Sequence, residues 1–151
     1  EPDQAKAGEL QALMRHIHQA KIFRLSSVSI RCNGLRRADW LYVDDMAEAC
    51  IQVLDMPGPI YGALTAPNRS QLNVGSGQAC TMLELAQAVA RVVDYRGELK
   101  LESGLTDESE DIVIDTHRMR STGWEPQIGL DAGLVQMYSD YKQQVRKLAS
   151  A

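Results

Sequence analysis

The sequence predicts an α/β fold in which short strands alternate with four to five helices, within a single domain of residues 1–151. Amphipathic segments carry apolar residues at helical spacing, and short apolar runs bounded by turn residues lie between them. Hydrophobic residues make up 44% of the chain and charged residues 24%, proportions typical of a globular protein with a buried core.

The first half of the chain predicts two helices and two extended segments. Residues 8–21 predict a helix whose apolar stripe at i, i+3, i+4 and i+7 consists of Leu10, Leu13, Met14 and Ile17. Residues 27–31 and 40–43 are expected to be extended, with a turn at residues 32–34. Asp44 or Asp45, the latter at capping-box spacing from Glu48, is expected to cap a helix that ends near Met56. The predicted buried face of this helix consists of Met46, Ala47, Cys50, Ile51 and Leu54.

The second half predicts a proline-rich surface loop at residues 57–70 and a strand at residues 71–74 that ends in a Gly-Ser-Gly turn. Thr81 and Glu84 have capping-box spacing, so a helix begins there, with a stripe of Met82, Leu85, Ala86, Val89, Val92 and Val93. Residues 98–103 and 112–114 predict strands on either side of an acidic loop at residues 104–110. A short helix at residues 116–122 precedes a C-terminal helix, whose stripe is Leu130, Leu134, Tyr138, Tyr141 and Val145.

Composition and cysteine usage argue against several classes of function. A net charge of -4 and a pI near 5.3 disfavour a nucleic-acid binder. The chain has no run of 18 apolar residues and no signal-peptide pattern at its start, so we expect no membrane span. Cys32, Cys50 and Cys80 are odd in number and form no C-x-x-C pair, which predicts free thiols in a reducing cytoplasm and no structural zinc site.

Two features could bind an anion. Arg31, Arg36 and Arg37 form a basic cluster ahead of a predicted helix, and they could hold a phosphate or lie in a solvated loop paired with neighbouring aspartates. The turn from Asn73 through Gly75 to residue 77 follows a predicted strand and could cradle a phosphate with backbone N–H groups, or be an ordinary glycine turn. We identify no set of metal ligands and no nucleophile–base pair.

Five segments resemble one family. The segments LQALMRHIHQAK, LYVDDMAEA, NVGSG, residues 81–95 and GWEP occur in this order and at matching spacing in extended short-chain dehydrogenase/reductases. The chain is most similar to the C-terminal part of the GDP-L-fucose synthase group of that family, over about residues 8–142. This resemblance implies an incomplete Rossmann-type fold that corresponds to the substrate-binding part of these NADP-dependent enzymes.

The resemblance also implies that this chain performs no catalysis alone. The family carries its glycine-rich NADP loop and its Tyr-x-x-x-Lys pair in an N-terminal dinucleotide-binding domain, and these 151 residues contain neither in the matching place. Tyr138 and Lys142 have the right spacing but belong to the C-terminal helix. We therefore expect no catalytic residue and no cofactor, with NADP bound only if a separate dinucleotide-binding domain is supplied.

The family's substrate contacts are altered in this sequence. The family's catalytic histidine matches Gly8, and its substrate arginine on the first helix matches His16, with Arg15 beside it. A second arginine matches Ala38, or Arg37 if Ala38 is a one-residue insertion. A family lysine falls at Leu105 and a neighbouring arginine at Asp111. Because a pyrophosphate needs cations or N–H donors, these changes predict a degraded sugar-nucleotide site.

Three functions are compatible with this pattern. The favoured hypothesis is a non-catalytic remnant of a nucleotide-sugar epimerase/reductase that acts as a self-associating or partner-binding module. The reason is that loss of the dinucleotide-binding domain would uncover a strand edge near residues 72–75 and an apolar face on the helix after Asp45. This hypothesis predicts a two-fold dimer. The second is a module that binds a nucleotide-sugar or another anion through Arg36, Arg37 and the glycine turn. The third is the substrate half of a split enzyme.

Overall fold

The computed structural model describes residues 8–30, 36–102 and 111–149. The chain divides into two compact units, of which the first comprises Glu1–Arg36, Thr81–Glu110 and Asp131–Ala151, and the second Arg37–Cys80 and Asp111–Leu130. Over the described residues the elements are α1 (Glu9–Ile22), β1 (Ser27–Ile30), β2 (Arg37–Asp39), α2 (Val43–Leu54), α3 (Gly58–Leu64), β3 (Ala79–Thr81), α4 (Met82–Val93), β4 (Glu98–Leu101), α5 (His117–Arg120) and α6 (Leu130–Ala149). The predicted α/β fold class is confirmed.

The first unit is built on a parallel pair of strands, β1 and β4, in which Val28 lies opposite Leu99 and Ile30 opposite Leu101. Helices α1 and α4 contact each other, and α1 contacts β1. The apolar stripes predicted for α1 and α4 form most of this core, together with two residues of α6, and its buried members include Leu13, Met14, Ile17, Leu85, Val89, Val93, Leu134 and Tyr138. The periodicity of these helices therefore gave the correct buried face.

Helix α4 begins at the predicted capping box. The Thr81 side-chain oxygen accepts a hydrogen bond from the Glu84 backbone N–H at 3.2 Å, and the Glu84 carboxylate accepts one from the Thr81 backbone N–H at 2.7 Å. Two N–H groups that the first turn of a helix leaves unpaired are satisfied in this way.

The second unit has a small core of Ala49, Met119 and Trp124, against which Leu41, Val53, Leu72 and Val74 pack. Helix α2 contributes Ala49 and Val53 to this core. A second two-stranded sheet pairs β2 with β3. Among the described residues, no helix is long and apolar enough to cross a membrane.

The prediction for α2 was wrong in its cap and in its buried face. The N-cap residue is Tyr42, without a side-chain capping bond, so neither Asp44 nor Asp45 caps the helix and Glu48 completes no capping box. The buried residues are Asp45 and Ala49, whereas the expected apolar face is exposed: Met46, Ala47, Cys50, Ile51 and Leu54. The reason is that the Asp45 carboxylate accepts two tertiary hydrogen bonds. These bonds turn inward the side of α2 that carries Asp45, which is opposite to the predicted apolar face.

Three predicted strands and one predicted loop also differ from the structure. Residues 40–42 are irregular and β2 precedes them, residues 71–74 form no ladder, and Ile112 makes only an isolated bridge to Ala38. Residues 57–70 contain α3, in which Pro59 stands in the first turn, where a missing N–H costs nothing. The predicted turn at residues 32–34 and the acidic loop at residues 104–110 lie outside the described residues, as do Arg31 and Leu105.

Two helices end in left-handed residues that are not glycine. At the end of α1, the Leu25 N–H donates to Ala20 O at 2.9 Å and the Arg24 N–H to Lys21 O at 3.1 Å, while Arg24 has φ 52°. At the end of α4, Asp94 has φ 57° and the same pair of bonds. This Schellman geometry favours glycine, because a Cβ in the left-handed region approaches the following carbonyl.

We predict that Arg24→Gly stabilises the protein by about 0.5–1 kcal/mol. The substitution removes the steric cost of a Cβ in the left-handed region. This gain exceeds the opposing cost, which is the larger conformational entropy that a glycine loses on folding. Asp94→Gly is the comparison, because it also removes the contacts of Asp94 with Lys21 and Arg96 and should gain less. Urea denaturation of the three proteins measures the difference. An unchanged or lower midpoint for Arg24→Gly would contradict the prediction.

An aromatic cluster joins α1 to α6 in the first unit. The His18 Nδ1 lies 3.0 Å from the Tyr138 hydroxyl, and the His18 ring meets Tyr138 and Tyr141 edge to face. The Lys142 ammonium lies 4.7 Å from the centre of the Tyr138 ring. Burial, followed by the charges of Lys21 and Lys142, lowers the pKa of His18.

We predict that the free energy of unfolding falls as the pH is lowered below about 6.5, the unperturbed pKa of histidine, because unfolded His18 then binds a proton that folded His18 resists. His18→Gln should lose this component of the pH dependence, whereas the exposed His117→Gln should keep it. Urea titrations at several pH values between neutral and mildly acidic measure it. Identical pH profiles for the two variants would refute the assignment.

Candidate functional site

The glycine turn of the second unit binds a carboxylate of the protein itself. The Asp39 carboxylate accepts hydrogen bonds from the Ser76 backbone N–H at 2.8 Å, the Ser76 hydroxyl at 2.5 Å and the Gly77 N–H at 2.9 Å. Charge-assisted bonds of this kind are the strong ones. The backbone donors that could have cradled a phosphate are therefore directed at Asp39.

Both glycines of this turn are needed for the close approach of side chains. A Cβ on Gly75 would lie 2.7 Å from Asp39 Oδ2. Gly77 has φ 71°, and a Cβ there would lie 2.9 Å from Arg120 Nη2, which donates to Ser76 O at 2.9 Å. The turn thus holds Asp39 on its N–H groups and Arg120 on a carbonyl group.

Arg37 also contacts this region, from strand β2. Its Nη2 donates to Ala79 O at 2.8 Å, and its backbone N–H donates to the Asp111 carboxylate at 2.9 Å. Ala38 is half-buried and forms a parallel backbone bridge with Ile112, whose N–H donates to Arg37 O at 2.9 Å. Asn73 is exposed and Gly75 is buried. Of the two residues that compete for the family arginine, Arg37 alone offers a guanidinium, and one of its donors is bound to the β3 backbone.

The remaining candidate residues belong to the first unit. Arg36 Nη1 lies 3.9 Å from the Glu9 carboxylate, and its buried Nε has no hydrogen-bond partner within the described residues. His16 Nε2 lies 3.2 Å from Ser29 O and lines a groove of about 440 Å³ that also contains Glu9 and Glu102. Arg15, its neighbour in sequence, lines a different groove of about 410 Å³.

The structure thus separates the six candidates into two groups. Arg15, His16 and Arg36 lie in the first unit, and Arg37, Asn73 and Gly75 in the second. Within the first group, His16 and Arg36 share Glu9 as a neighbour, whereas Arg15 points to another groove. Over the residues that the structure describes, no group of three or more His, Cys, Asp or Glu side chains could hold a metal ion.

Helix α2 is held by a buried carboxylate. Asp45, only 2% exposed, accepts hydrogen bonds from the Gln127 and Ile128 backbone N–H groups at 3.0 Å each. Gln52, on the same side of the helix, donates to the Thr122 hydroxyl at 2.8 Å. These contacts leave the apolar side of α2 in solvent, where Leu54 is 82% exposed, Val43 69% and Ile51 58%.

Sequence reasoning missed the roles of three residues that shape these sites, namely Asp39, Asp45 and Arg120. Asp39 had a detectable signal, because it follows Arg37 by two positions on an extended segment and so lies on the same face. The two glycines of the turn, Gly75 and Gly77, were a further sign that another group approaches the backbone closely there. The partners of Asp45 and Arg120 lie far away in sequence, and no local pattern points to them.

Comparisons with a family model and with curated proteins agree on the relatives of this chain. The model of the NAD dependent epimerase/dehydratase family matches residues 1–64. The chain is 35% identical to GDP-L-fucose synthase from Escherichia coli over 129 residues, which cover 85% of this chain and 40% of the relative. It is 35% identical to GDP-L-fucose synthase 1 from Arabidopsis thaliana over 136 residues, which cover 90% of this chain and 39% of the relative. The chain therefore spans about 40% of the length of these curated relatives.

Solved structures show the same relationship. GDP-mannoheptose C4 reductase from Campylobacter jejuni, with NADP bound, is 28% identical and superposes with a TM-score of 0.77 over 91% of this chain and 46% of that chain. UDP-glucose 4-epimerase from Thermotoga maritima is 18% identical and superposes with a TM-score of 0.72 over 93% of this chain and 41% of that chain. At this identity the similarity shows only that the fold is shared. The resemblance to the C-terminal part of this enzyme family is confirmed.

We predict that Gly75→Ala destabilises the protein by about 1–3 kcal/mol, because the new methyl group would overlap Asp39 Oδ2 and Ile114 in a packed region. Gly58→Ala is the matched control in the same unit, since no atom lies within 4 Å of the place its methyl group would take and the residue stands in the first turn of α3, so it should not destabilise the protein. Chemical denaturation compares the two. Equal stabilities would show that Asp39 does not require the glycine.

Proposed function

On the premise that the chain is related to the C-terminal part of the NAD dependent epimerase/dehydratase family, we propose that it is the partner-binding, substrate-side half of a nucleotide-sugar epimerase or reductase. In this proposal the 151 residues perform no catalysis by themselves. Their role is to dock on a dinucleotide-binding domain, which contributes the NADP site and the catalytic pair.

The observation that carries the proposal is the exposed apolar side of α2, here called the α2 face and defined by Val43, Met46, Ala47, Cys50, Ile51 and Leu54. All six residues are exposed. They follow one another at helical spacing, so they form a continuous stripe along three turns. Contiguous exposed apolar surface of this kind is typical of an interface.

The choice of a dinucleotide-binding domain as partner rests on the relatives. The chain spans 40% of the Escherichia coli relative and 46% of the Campylobacter jejuni reductase, which binds NADP. The glycine-rich loop and the Tyr-x-x-x-Lys pair of the family have no counterpart in the matching places of these 151 residues. We therefore take a dinucleotide-binding domain as the partner that covers the α2 face. A second copy of the chain, giving a dimer, is the competing occupant.

Binding of a nucleotide-sugar by this chain alone has less support. The N–H groups of Ser76 and Gly77 donate to Asp39, and one donor of Arg37 is bound to Ala79 O. The groove beside His16 carries two carboxylates, Glu9 and Glu102, which would repel a pyrophosphate.

We predict that Leu54→Asp weakens binding to the dinucleotide-binding part of the Escherichia coli GDP-L-fucose synthase by about tenfold or more, because complex formation would bury an unpaired carboxylate. Leu54 is 82% exposed, so the substitution should leave stability unchanged. Val135→Asp, on α6 and 57% exposed, is the matched control and should bind like the unchanged chain. Calorimetry and size-exclusion chromatography with light scattering provide the affinities and the stoichiometry.

The free thiol of Cys50 gives a second measure of docking, since it lies exposed within the α2 face. In a Cys32→Ser, Cys80→Ser background, the rate at which Cys50 reacts with a maleimide should fall when the partner is added. Two results count against the proposal. One is the absence of a complex at micromolar concentrations, and the other is equal affinity for the Leu54→Asp and Val135→Asp variants.

A further inference from the structure

The α2 face is bordered on one side by acidic residues only. Asp44, Glu48 and Asp55 are exposed, and the helix from Val43 to Leu54 contains no lysine or arginine. Asp44 and Glu48 are four residues apart and Glu48 and Asp55 seven, which is one and two helical turns, so the three carboxylates form a single row along one side of α2. We call Asp44, Glu48 and Asp55 the acidic row.

The acidic row is available for a partner. None of its three carboxylates forms an ion pair or a hydrogen bond with another side chain in the part of the chain that the structure describes. Asp45, the neighbouring acid, differs because it is buried and holds two backbone N–H groups. The row therefore makes no side-chain contact that holds α2 in place, and its carboxylates are exposed beside an apolar stripe.

From this arrangement we infer that the α2 face takes a partner whose apolar surface is bordered by lysine or arginine, and that it rejects a second copy of itself. The inference rests on the proposed function and names the chemistry of its partner. Opposite charges beside an apolar contact increase the association rate and select the correct partner, and like charges exclude a wrong one.

The acidic row opposes an antiparallel two-fold pair of α2 helices. When two α2 helices pack face to face in antiparallel orientation, a two-fold axis places the acidic row of one copy beside the acidic row of the other. The chain as a whole also has a net charge of -4, which adds repulsion between copies. The self-association expected from the exposed face alone is therefore opposed by its border.

A charge-reversed copy of the chain can stand in for the basic partner. Glu48→Lys/Asp55→Lys keeps the apolar stripe and replaces two acids of the row on either side of Ile51. An equimolar mixture with the unchanged chain should give a one-to-one complex at low ionic strength in sedimentation-velocity measurements, while the unchanged chain alone stays monomeric. Raising the salt from about 50 to 500 mM should weaken the complex by about tenfold, because screening shortens the range of these charges.

The control is Glu125→Lys/Asp140→Lys, which changes the net charge by the same amount at two exposed acids outside the α2 face. It should form no complex with the unchanged chain. Three results would overturn the inference: a dimer of the unchanged chain at low salt, an equal complex with the control variant, or no complex with Glu48→Lys/Asp55→Lys. Adding Leu54→Asp to both copies should abolish the complex, which would identify the α2 face itself as the contact surface. The proposed function is tested separately, by the binding of the chain to a dinucleotide-binding domain.

Discussion

The orientation of α2 depends on one buried carboxylate. Asp45 accepts the Gln127 and Ile128 N–H groups, from a segment 82 and 83 residues further along the chain. A buried carboxylate without such donors would be costly, so the side of the helix that carries Asp45 must face the 127–128 backbone. Ala49 and Gln52 follow inward on the same side, and the six apolar residues of the α2 face are left outside. The surface from which we infer partner binding is a consequence of this interaction.

The same principle operates at the glycine turn. Asp39 satisfies two backbone N–H groups there, and Arg120 and Arg37 satisfy the carbonyl groups of Ser76 and Ala79. Glycine is needed at residues 75 and 77 because protein side chains approach the backbone closely. A turn whose polar groups are paired internally positions β3, and it offers few free donors to an anion.

Much of the fold could be predicted from the sequence where amphipathic patterns were unambiguous. In α1 and α4 the side opposite the apolar stripe is strongly polar, so only one orientation buries apolar area. In α2 the inward side contains Asp45 and Gln52, and the outward side is the more apolar one, so periodicity pointed to the wrong face. The short strands also failed to follow local patterns, since pairing with a distant segment decides whether three or four residues form a ladder.

The sequence by itself determined the fold class, the positions of the long helices, the capping box at Thr81 and the family relationship, because these depend on residue order and local spacing. The tertiary structure alone decided which side of α2 is buried and what occupies the glycine turn. Both depend on hydrogen bonds between residues more than thirty positions apart. Buried polar groups must be paired, and the tertiary fold decides which partner lies within hydrogen-bond distance.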